Sequence, residues 1–400
     1  MQKFLSLLIL MLFLSFSLIT GTPGMPGPPG GSSTVQAVEV EVLARSLGMG
    51  GAQVAVADDA SATIFNPAGL YQSGRMGIMA SGGFLADNVR EYGDLLDTID
   101  DFSSQADSPE EFYDQLPEEV NLRGQGLAGF QLGTGAVAGN FKARLTGERG
   151  DDSASYAYEG LTQGRLGMAG DIVTIPAEVG LAAYGLSINY SRVTSGEYEL
   201  NYDSENPADS YQIEWQGSDS GLSVDAGLLL QLTPMVKMGV SVENFWAQDL
   251  DPSGARRRYN YDVDPAEQGG EWVEDEAAFE DDDNEDFGPD YSRSIAQPRR
   301  GRVGVAVDLP ILGIMAADIN NFPALSASEA GDPSLHLGLE TDMLLGMLTL
   351  RAGTYSTENS PRMLTAGAGL NFVGGSLDLG AGVAPAGGRS SILAAVSLDL

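Results

Sequence analysis

Over its last third the chain repeats one pattern: apolar side chains recur at every second position between turn residues. In Leu335 to Glu340 the odd positions are Leu and the even ones His336, Gly338 and Glu340. From Ser376 to Val383, Leu377, Leu379, Ala381 and Val383 share one face, and Ser376, Asp378, Gly380 and Gly382 share the other. The last ten residues put Ile392, Ala394, Val396, Leu398 and Leu400 opposite Ser391, Ala395, Ser397 and Asp399, with Leu393 out of step. Upstream, Val236, Met238, Val240 and Val242 alternate with Lys237, Gly239, Ser241 and Glu243, and Val303, Val305 and Val307 alternate with Arg302, Gly304, Ala306 and Asp308. Successive side chains of a strand point to opposite faces, so this period predicts strands with two unlike faces. The polar face is Gly, Ser, Thr, Asn and isolated charges. The apolar face is aliphatic, with Tyr190, Trp246, Tyr355 and Phe372 toward strand ends. That combination matches a lipid-facing band with aromatic girdles around a polar lumen.

A membrane protein of this kind must close its sheet, because unpaired backbone groups cannot face lipid. The one long apolar run, Phe4 to Ile19, has 16 residues, fewer than the roughly 20 that span a bilayer as a helix. Behind Lys3 and before the small-residue site Val35-Gln36-Ala37, it reads as the core of an export signal. Residues 1–37 are therefore expected to be a signal peptide with a Gly/Pro linker, whose three triplets at 21–29 are too few for a collagen helix. The remaining turn signals divide residues 75–400 into strands near 75–86, 121–133, 134–147, 154–162, 163–175, 178–200, 211–232, 235–246, 300–309, 312–322, 334–344, 346–356, 362–374, 376–385 and 390–400, a count of 14 or 15. The segment 154–175 reads as one long strand or two. An even number is usual for single-chain bacterial barrels, so the expected fold is all-β: a transmembrane antiparallel β-barrel of about 14 strands.

Two segments break the pattern. Residues 87–119 place Tyr92, Leu95, Leu96, Ile99 and Phe102 at helical spacing, and Ser108-Pro109-Glu110-Glu111 has the form of a helix start, so a helical insertion is expected there. Residues 250–298 read as an external loop, with 14 Asp and Glu between 261 and 291 and no Lys or Arg in that stretch. The whole chain carries 56 acidic against 21 basic residues, a formal charge of −35, which excludes nucleic acid as a partner. The carboxylates of the loop could collect calcium, but they lack EF-hand spacing and read as a solvated surface.

The densest motif lies at residues 44–70. Gly48, Gly50 and Gly51 permit a tight turn or a close backbone approach. Gln53 to Ala57 can form a short strand, Asp58 or Asp59 can cap a short helix, and Asn66-Pro67 would end it. The stretch resembles the FadL-type outer-membrane transport proteins and their PorV-type and TraF-like relatives, which share an N-terminus of this form. Here it is Leu47 to Ala52, Ala57-Asp58-Asp59 and Asn66 to Leu70, with Arg45 just ahead. Val240 to Asn244, Leu335 to Glu340, Leu350 to Tyr355 and Leu364 to Leu370 add to the resemblance.

The resemblance implies a barrel whose lumen is blocked by an N-terminal hatch, here about residues 38–74, with residues 75–400 forming the barrel. Gly48, Gly50, Gly51, Asp58, Asp59, Phe65, Asn66, Pro67 and Ala68 are the matching hatch and substrate positions. It implies passive uptake of hydrophobic small molecules such as long-chain fatty acids, with outer-membrane lipids and the barrel-assembly machinery as partners. Leu400 stands where many barrels end in an aromatic residue. The alternative is a PorV-type component or cargo shuttle of a protein secretion system.

An enzyme is not expected. Cys is absent, His336 is the single histidine, and no Gly-x-Ser-x-Gly elbow occurs, so neither a zinc site nor a serine hydrolase is written here, and no cofactor is called for. Gly48-Met-Gly50-Gly51 has Gln53 where a dinucleotide loop needs its third glycine. Lys237, Glu243, Arg302, Asp308, His336, Glu340, Arg351 and Asp378 are expected in the lumen, the charges paired across strands. Charge on the lipid face would cost roughly 2–4 kcal/mol at mid-bilayer.

Overall fold

A computed structural model describes residues 43–73, 76–86, 113, 116, 118–173, 181–203, 205–264, 269–275, 290–292, 295, 297–310, 312–357, 362–383 and 392–399. The expected signal peptide, most of the helical insertion and the most acidic part of the long loop lie outside these residues.

The strands are β1 (Met76–Ala86), β2 (Glu119–Leu132), β3 (Gly135–Arg149), β4 (Ser153–Val173), β5 (Leu181–Asn201), β6 (Tyr211–Thr233), β7 (Val236–Ala247), β8 (Ser253–Asp264), β9 (Gly269–Glu274), β10 (Asp290–Ser292), β11 (Arg300–Leu309), β12 (Gly313–Asn320), β13 (Ser334–Met343), β14 (Leu348–Thr357), β15 (Met363–Phe372), β16 (Gly375–Val383) and β17 (Ile392–Asp399). Each of β1–β6 pairs antiparallel with the next. β7 then pairs with β11, the series continues to β17, and β1 pairs with both β2 and β17. Seven strands from each half thus close a ring of 14 staves, the expected number. The segment 154–175 is one strand, β4.

One end of the ring has only tight connections among its described turns, such as residues 133–134, 234–235 and 373–374. The longest connections, residues 87–118, 248–299 and 321–333, belong to the other end. The register carries one parity around the ring: Glu243 faces Arg300, Asp318 faces His336, and Glu340 faces Arg351. This parity is buried, while Leu335, Leu337, Leu339, Leu377, Leu379 and Val383 on the opposite parity are exposed. The exposed side is therefore an aliphatic belt, with Tyr190, Trp246, Phe130 and Phe372 at its margins. Tyr355 is a correction. It shares parity with Arg351, lies inside, and stacks on His336 with ring centroids 5.5 Å apart.

β4, β5 and β6 have 21, 21 and 23 residues, about twice the length of most other staves, and their outer halves project beyond the belt. On β6 the outward residues Leu222, Leu228, Leu230 and Leu232 are apolar near the short-turn end, whereas Gln212, Glu214, Gln216 and Ser218 follow toward the long-loop end. There β7 has left the sheet and β8 takes its place, pairing Arg256–Asn260 with Tyr211–Trp215. β9 and β10 pair onto β8. The region read from sequence as a loop is thus partly strand. Its residues lack apolar alternation, and the free edge of β6 supplies the ladder that their own pattern does not announce. Tyr113, Tyr156, Tyr198, Leu200 and Tyr202 pack as a separate cluster on this extension, with the Tyr113 and Tyr202 rings stacked at 5.3 Å.

The belt makes a direct expectation. Leu228→Arg should destabilise the folded barrel by roughly 2–4 kcal/mol in lipid, while Gln216→Arg, on the same face of the same strand but beyond the belt, should be near neutral. Equilibrium refolding into vesicles across a guanidinium series checks both.

Candidate functional site

Residues 43–73 lie inside the ring. They contact staves all around it, from β1 (Ser81 to Ala44) through β4 (Arg165 to Thr63) to β13 (His336 to Gly50), and nearly all of them are buried. Only a segment within the lumen can do this. The segment begins as a one-turn helix, Ala44–Gly48, whose packed face is Ala44 and Leu47. Gly50 and Gly51, at φ 62° and 85°, end it and let the Gly51 amide return to the Ser46 carbonyl. The chain then crosses the lumen through Gln53 to Ala57, which form turns rather than the expected strand. A second single turn, Ala62–Phe65, and a short 3-10 turn, Pro67–Gly69, lead out to Leu70–Ser73.

The wall meets this segment closely enough that side chains would obstruct it. A Cβ at Gly338 would lie 2.5 Å from the Met49 carbonyl oxygen, and one at Gly380 would lie 2.6 Å from that of Ala44. These small inward positions are seats for a foreign backbone.

Polar side chains supply the rest of the fit. Asn66 is fully buried and satisfied at both ends of its amide. Its Oδ1 accepts from the Ala68 amide at 3.1 Å, capping the 3-10 turn, and its Nδ2 donates to the carbonyls of Val54 (2.9 Å) and of Leu228 on β6 (3.1 Å). Pro67 follows at the first position of that turn, where its missing N–H costs nothing. The Asp318 carboxylate on β12 accepts from the amides of Gln53 (2.5 Å) and Val54 (2.8 Å). His336 Nδ1 donates to the Gly50 carbonyl (2.6 Å), because a carbonyl can only accept, and its Nε2 is left to meet Asn320 Nδ2 (3.0 Å) and the Ser334 hydroxyl (2.9 Å).

Two ionic chains tie the segment to the wall. In the first, Arg45 donates to both carboxylate oxygens of Glu340 at 3.0 Å and to Asp58 at 2.6 Å. Glu340 also accepts from Arg351 at 2.7 Å, and Arg351 reaches over β15 to Asp378. In the second, Arg165 on β4 and Arg302 on β11 each hold one carbonyl of the Ala62–Phe65 turn, Thr63 at 2.9 Å and Ile64 at 2.6 Å. The same guanidiniums pair with Asp225 (2.8 Å) and Glu243 (2.6 Å). Cations at the carbonyl end of a helical turn satisfy acceptors that the turn itself cannot.

Of the residues singled out from sequence, Gly48, Gly50, Gly51, Phe65, Asn66, Pro67 and Ala68 are parts of the luminal segment, and Glu340, Arg351, Asp378, Glu243, Arg302 and His336 hold it or pair beside it. Lys237 donates to Gln72. Asp308 shares the inward parity but sits exposed near the short-turn rim, and joins neither chain among the described residues. Asp59 does not cap the helix; its carboxylate accepts from the Ser61 amide at 2.7 Å and from the Ser61 hydroxyl. Sequence reasoning missed Arg165, Asp225 and Asp318. Their signal is parity, since Arg165 stands in step with Gln163 and Gly167 on an otherwise legible strand.

The luminal segment occupies the short-turn half of the ring. Above it, register places Lys142, Leu161 and Val193 in one inward row and Arg123, Arg144 and Glu159 in the next. Leu250 and Ile295, joined by an isolated bridge, pack onto Val193 and Leu161. Arg123 and Arg144 face each other directly across the β2–β3 ladder, and the Nε of each is buried with no hydrogen-bond partner among the described residues. The inner face at this level is thus aliphatic on one side, and on the other it carries Lys142, Arg123 and Arg144 with Glu159 opposite Arg144.

No family model matches the chain, and no curated protein matches it. Solved structures do. The Pseudomonas putida toluene transporter TodX is similar with a TM-score of 0.59 at 12% identity, over 92% of this chain and 99% of that one. The Ralstonia pickettii toluene transporter TbuX is similar with a TM-score of 0.55 at 13% identity, over 91% and 99%. A Pseudomonas aeruginosa FadL homologue is similar with a TM-score of 0.55 at 11% identity, over 90% and 97%. The fold of the chain is that of the FadL-type barrels.

Two outcomes follow for the luminal segment. Asn66→Ala strands one amide and two carbonyls, at roughly 1–3 kcal/mol for each group left without water, and should lower the thermal midpoint and open residues 43–73 to proteolysis in the folded barrel. Burial and the neighbouring Asp58 raise the pKa of Asp59, with Arg45 opposing. The folded state therefore holds this proton more tightly than the unfolded chain, and stability falls as pH rises through the raised value. Asp59→Asn should melt higher than the wild type at pH 8 and alike at pH 4, read by circular dichroism.

Proposed function

We propose that this FadL-type barrel is a channel in the outer membrane of a diderm bacterium, for passive uptake of hydrophobic small molecules, among them amphiphilic acids such as long-chain fatty acids. The observation that carries the reading is the level above the luminal segment, where aliphatic residues and inward arginines share the lumen and where we place a binding chamber. Leu161, Val193, Leu250 and Ile295 offer an aliphatic wall to a tail, and Arg123 and Arg144 offer two guanidiniums to a carboxylate. Two like charges facing each other at partly buried positions are unfavourable unless anions join them; register puts Glu159 opposite Arg144 but Leu85 opposite Arg123, so the pair has one carboxylate for two guanidiniums. The belt supports membrane embedding, and the short-turn end is assigned to the periplasm because bacterial barrels keep their short turns there.

Residues 38–74 act as the hatch in this reading. A solute enters from the long-loop end, settles in the chamber with its head at Arg123 and Arg144, and passes when the hatch shifts. Export by the N-terminal signal and insertion by the barrel-assembly machinery precede this. A role as a component or cargo shuttle of a secretion system is the competing proposal, in which the long loops rather than the chamber would contact cargo.

Uptake of a labelled long-chain fatty acid and of labelled toluene, measured in the same cells, separates these ideas. Arg123→Gln with Arg144→Gln should lower fatty-acid uptake about tenfold, the worth of one lost charge-assisted hydrogen bond, and leave toluene unchanged. Deletion of residues 64–70 should alter both. Background uptake of both solutes by the correctly inserted wild type would overturn the transport reading in favour of protein cargo.

A further inference from the structure

The short-turn rim is not uniform. The turn between β2 and β3 is Gly133-Thr134, and that between β6 and β7 is Pro234-Met235, with Met235 part-exposed. Nearly across the ring from the first, the turn between β13 and β14 is Leu344-Leu345-Gly346-Met347, and the turn between β15 and β16 holds Val373 after Phe372. Leu345 and Val373 have relative exposures of 103% and 105%, as much as in an extended chain. Leu312, Leu344 and Met347 beside them are also exposed.

Backbone geometry makes this costly. Leu344 and Leu345 both have positive φ, 51° and 60°, a conformation that disfavours large side chains and that Asn or Gly adopts easily. The turn thus carries two strained leucines whose side chains gain nothing from the protein. Such outliers persist where something outside the backbone rewards them.

The belt indicates what that is. On β13 the outward positions begin at Leu335 and run through Leu337, Leu339, Thr341 and Met343 to the turn at Leu345, apolar but for Thr341. Ten residues at roughly 3.3 Å each, tilted by about 40°, rise roughly 25 Å, the height of the apolar band of such barrels. The distance from Val383 to Val373 across β16 is also ten residues, and Leu222 to Leu232 on β6 is the same. The tips at Leu345 and Val373 therefore lie in the plane where the belt ends on β6, not beyond it, and no charged residue interrupts Met343 to Leu350.

We propose that the turns at Leu344–Leu345 and Val373 are anchored in the acyl-chain region of the inner leaflet, while the Gly133-Thr134 turn lies in water. The occupant of this apolar rim is lipid, because the rim is continuous with the lipid-facing belt. The inference rests on the membrane-embedded reading of the barrel.

The chain contains no cysteine, so single-cysteine variants take one label each. Leu345→Cys, Val373→Cys, Thr134→Cys and the belt variant Leu337→Cys are labelled with bimane and reconstituted in phosphatidylcholine vesicles. Quenching by nitroxide-bearing acyl chains is compared with quenching by iodide present on both sides. Labels at 345 and 373 should be quenched at least about threefold more by lipid than by iodide, like the label at 337, and the label at 134 should show the reverse. Lipid quenching at 337 with iodide access at 345 and 373 would overturn this inference alone, as would protection of both tips from both quenchers, the sign of a protein contact. Failure of lipid quenching at 337 would remove the membrane reading and this inference with it.

Discussion

A strand in a closed ring has no backbone group to spare. Each stave spends its amides and carbonyls on two neighbours, so a segment threaded through the lumen can be held only by side chains. Much of what is unusual about the interior follows from this. Asp318, His336, Arg165 and Arg302 are buried and ionisable, and each ends on a main-chain atom of the luminal segment. Where no side chain reaches in, the wall residue is glycine and the two backbones touch, as Gly338 does with Met49. Long polar side chains and glycines on one parity are two answers to one problem.

The same constraint organises the charge. Nine of the 21 basic residues, Arg45, Arg123, Lys142, Arg144, Arg165, Lys237, Arg300, Arg302 and Arg351, lie on the luminal segment or at inward positions of the wall. The acidic excess is therefore carried mainly by the loops and the outer extension. Buried ion pairs recover their desolvation cost only when further hydrogen bonds complete them. The chain Asp58–Arg45–Glu340–Arg351–Asp378 is completed in this way, since its interior carboxylate, Glu340, meets two guanidiniums. Of the pair Arg123 and Arg144, register gives Arg144 a carboxylate, Glu159, and gives Arg123 only Leu85 and Arg144.

The period-two pattern made the fold legible. It separated inward from outward residues and gave the 14 staves, because a barrel wall writes its two solvents, lipid and lumen, directly into the side chains. It also placed Glu340, Arg351 and Asp378 on the inner face. What the pattern could not give was which of them meet, since Arg351 reaches Asp378 across an intervening strand over glycines rather than along a pair. Tyr355 was read as a girdle residue from its chemistry, although its parity with Arg351 put it inside; where type and parity disagree, parity is the stronger physical statement. β8 to β10 escaped because their stability comes from an edge that β7 vacates, which is a tertiary fact. Asp59 escaped as a helix cap because its own Ser61 lies nearer than the helix amides.

The wall is least regular where the luminal segment is held most firmly. Between β6 and β7 the register passes from Val224 opposite Trp246 to Ala226 opposite Val242, so that Asp225 alone faces Glu243, Asn244 and Phe245. Asn244 turns left-handed at φ 51°, and its amide donates to Asp225 at 2.8 Å. Asp225 and Glu243 are the same carboxylates that hold Arg165 and Arg302, and through them the Thr63 and Ile64 carbonyls. The Ala226–Val242 register already brings Asp225 and Glu243 to one level of the lumen, and the bulge adds the Asn244 amide as a donor to Asp225. Withdrawing the Ala62–Phe65 turn would leave two guanidinium hydrogen bonds unmade in a buried site, at roughly 1–3 kcal/mol each. Regularising the bulge would remove the Asn244 amide from Asp225, the carboxylate that holds Arg165. Wall irregularity and luminal segment are thus one interaction seen from two sides, and neither can shift far without the other.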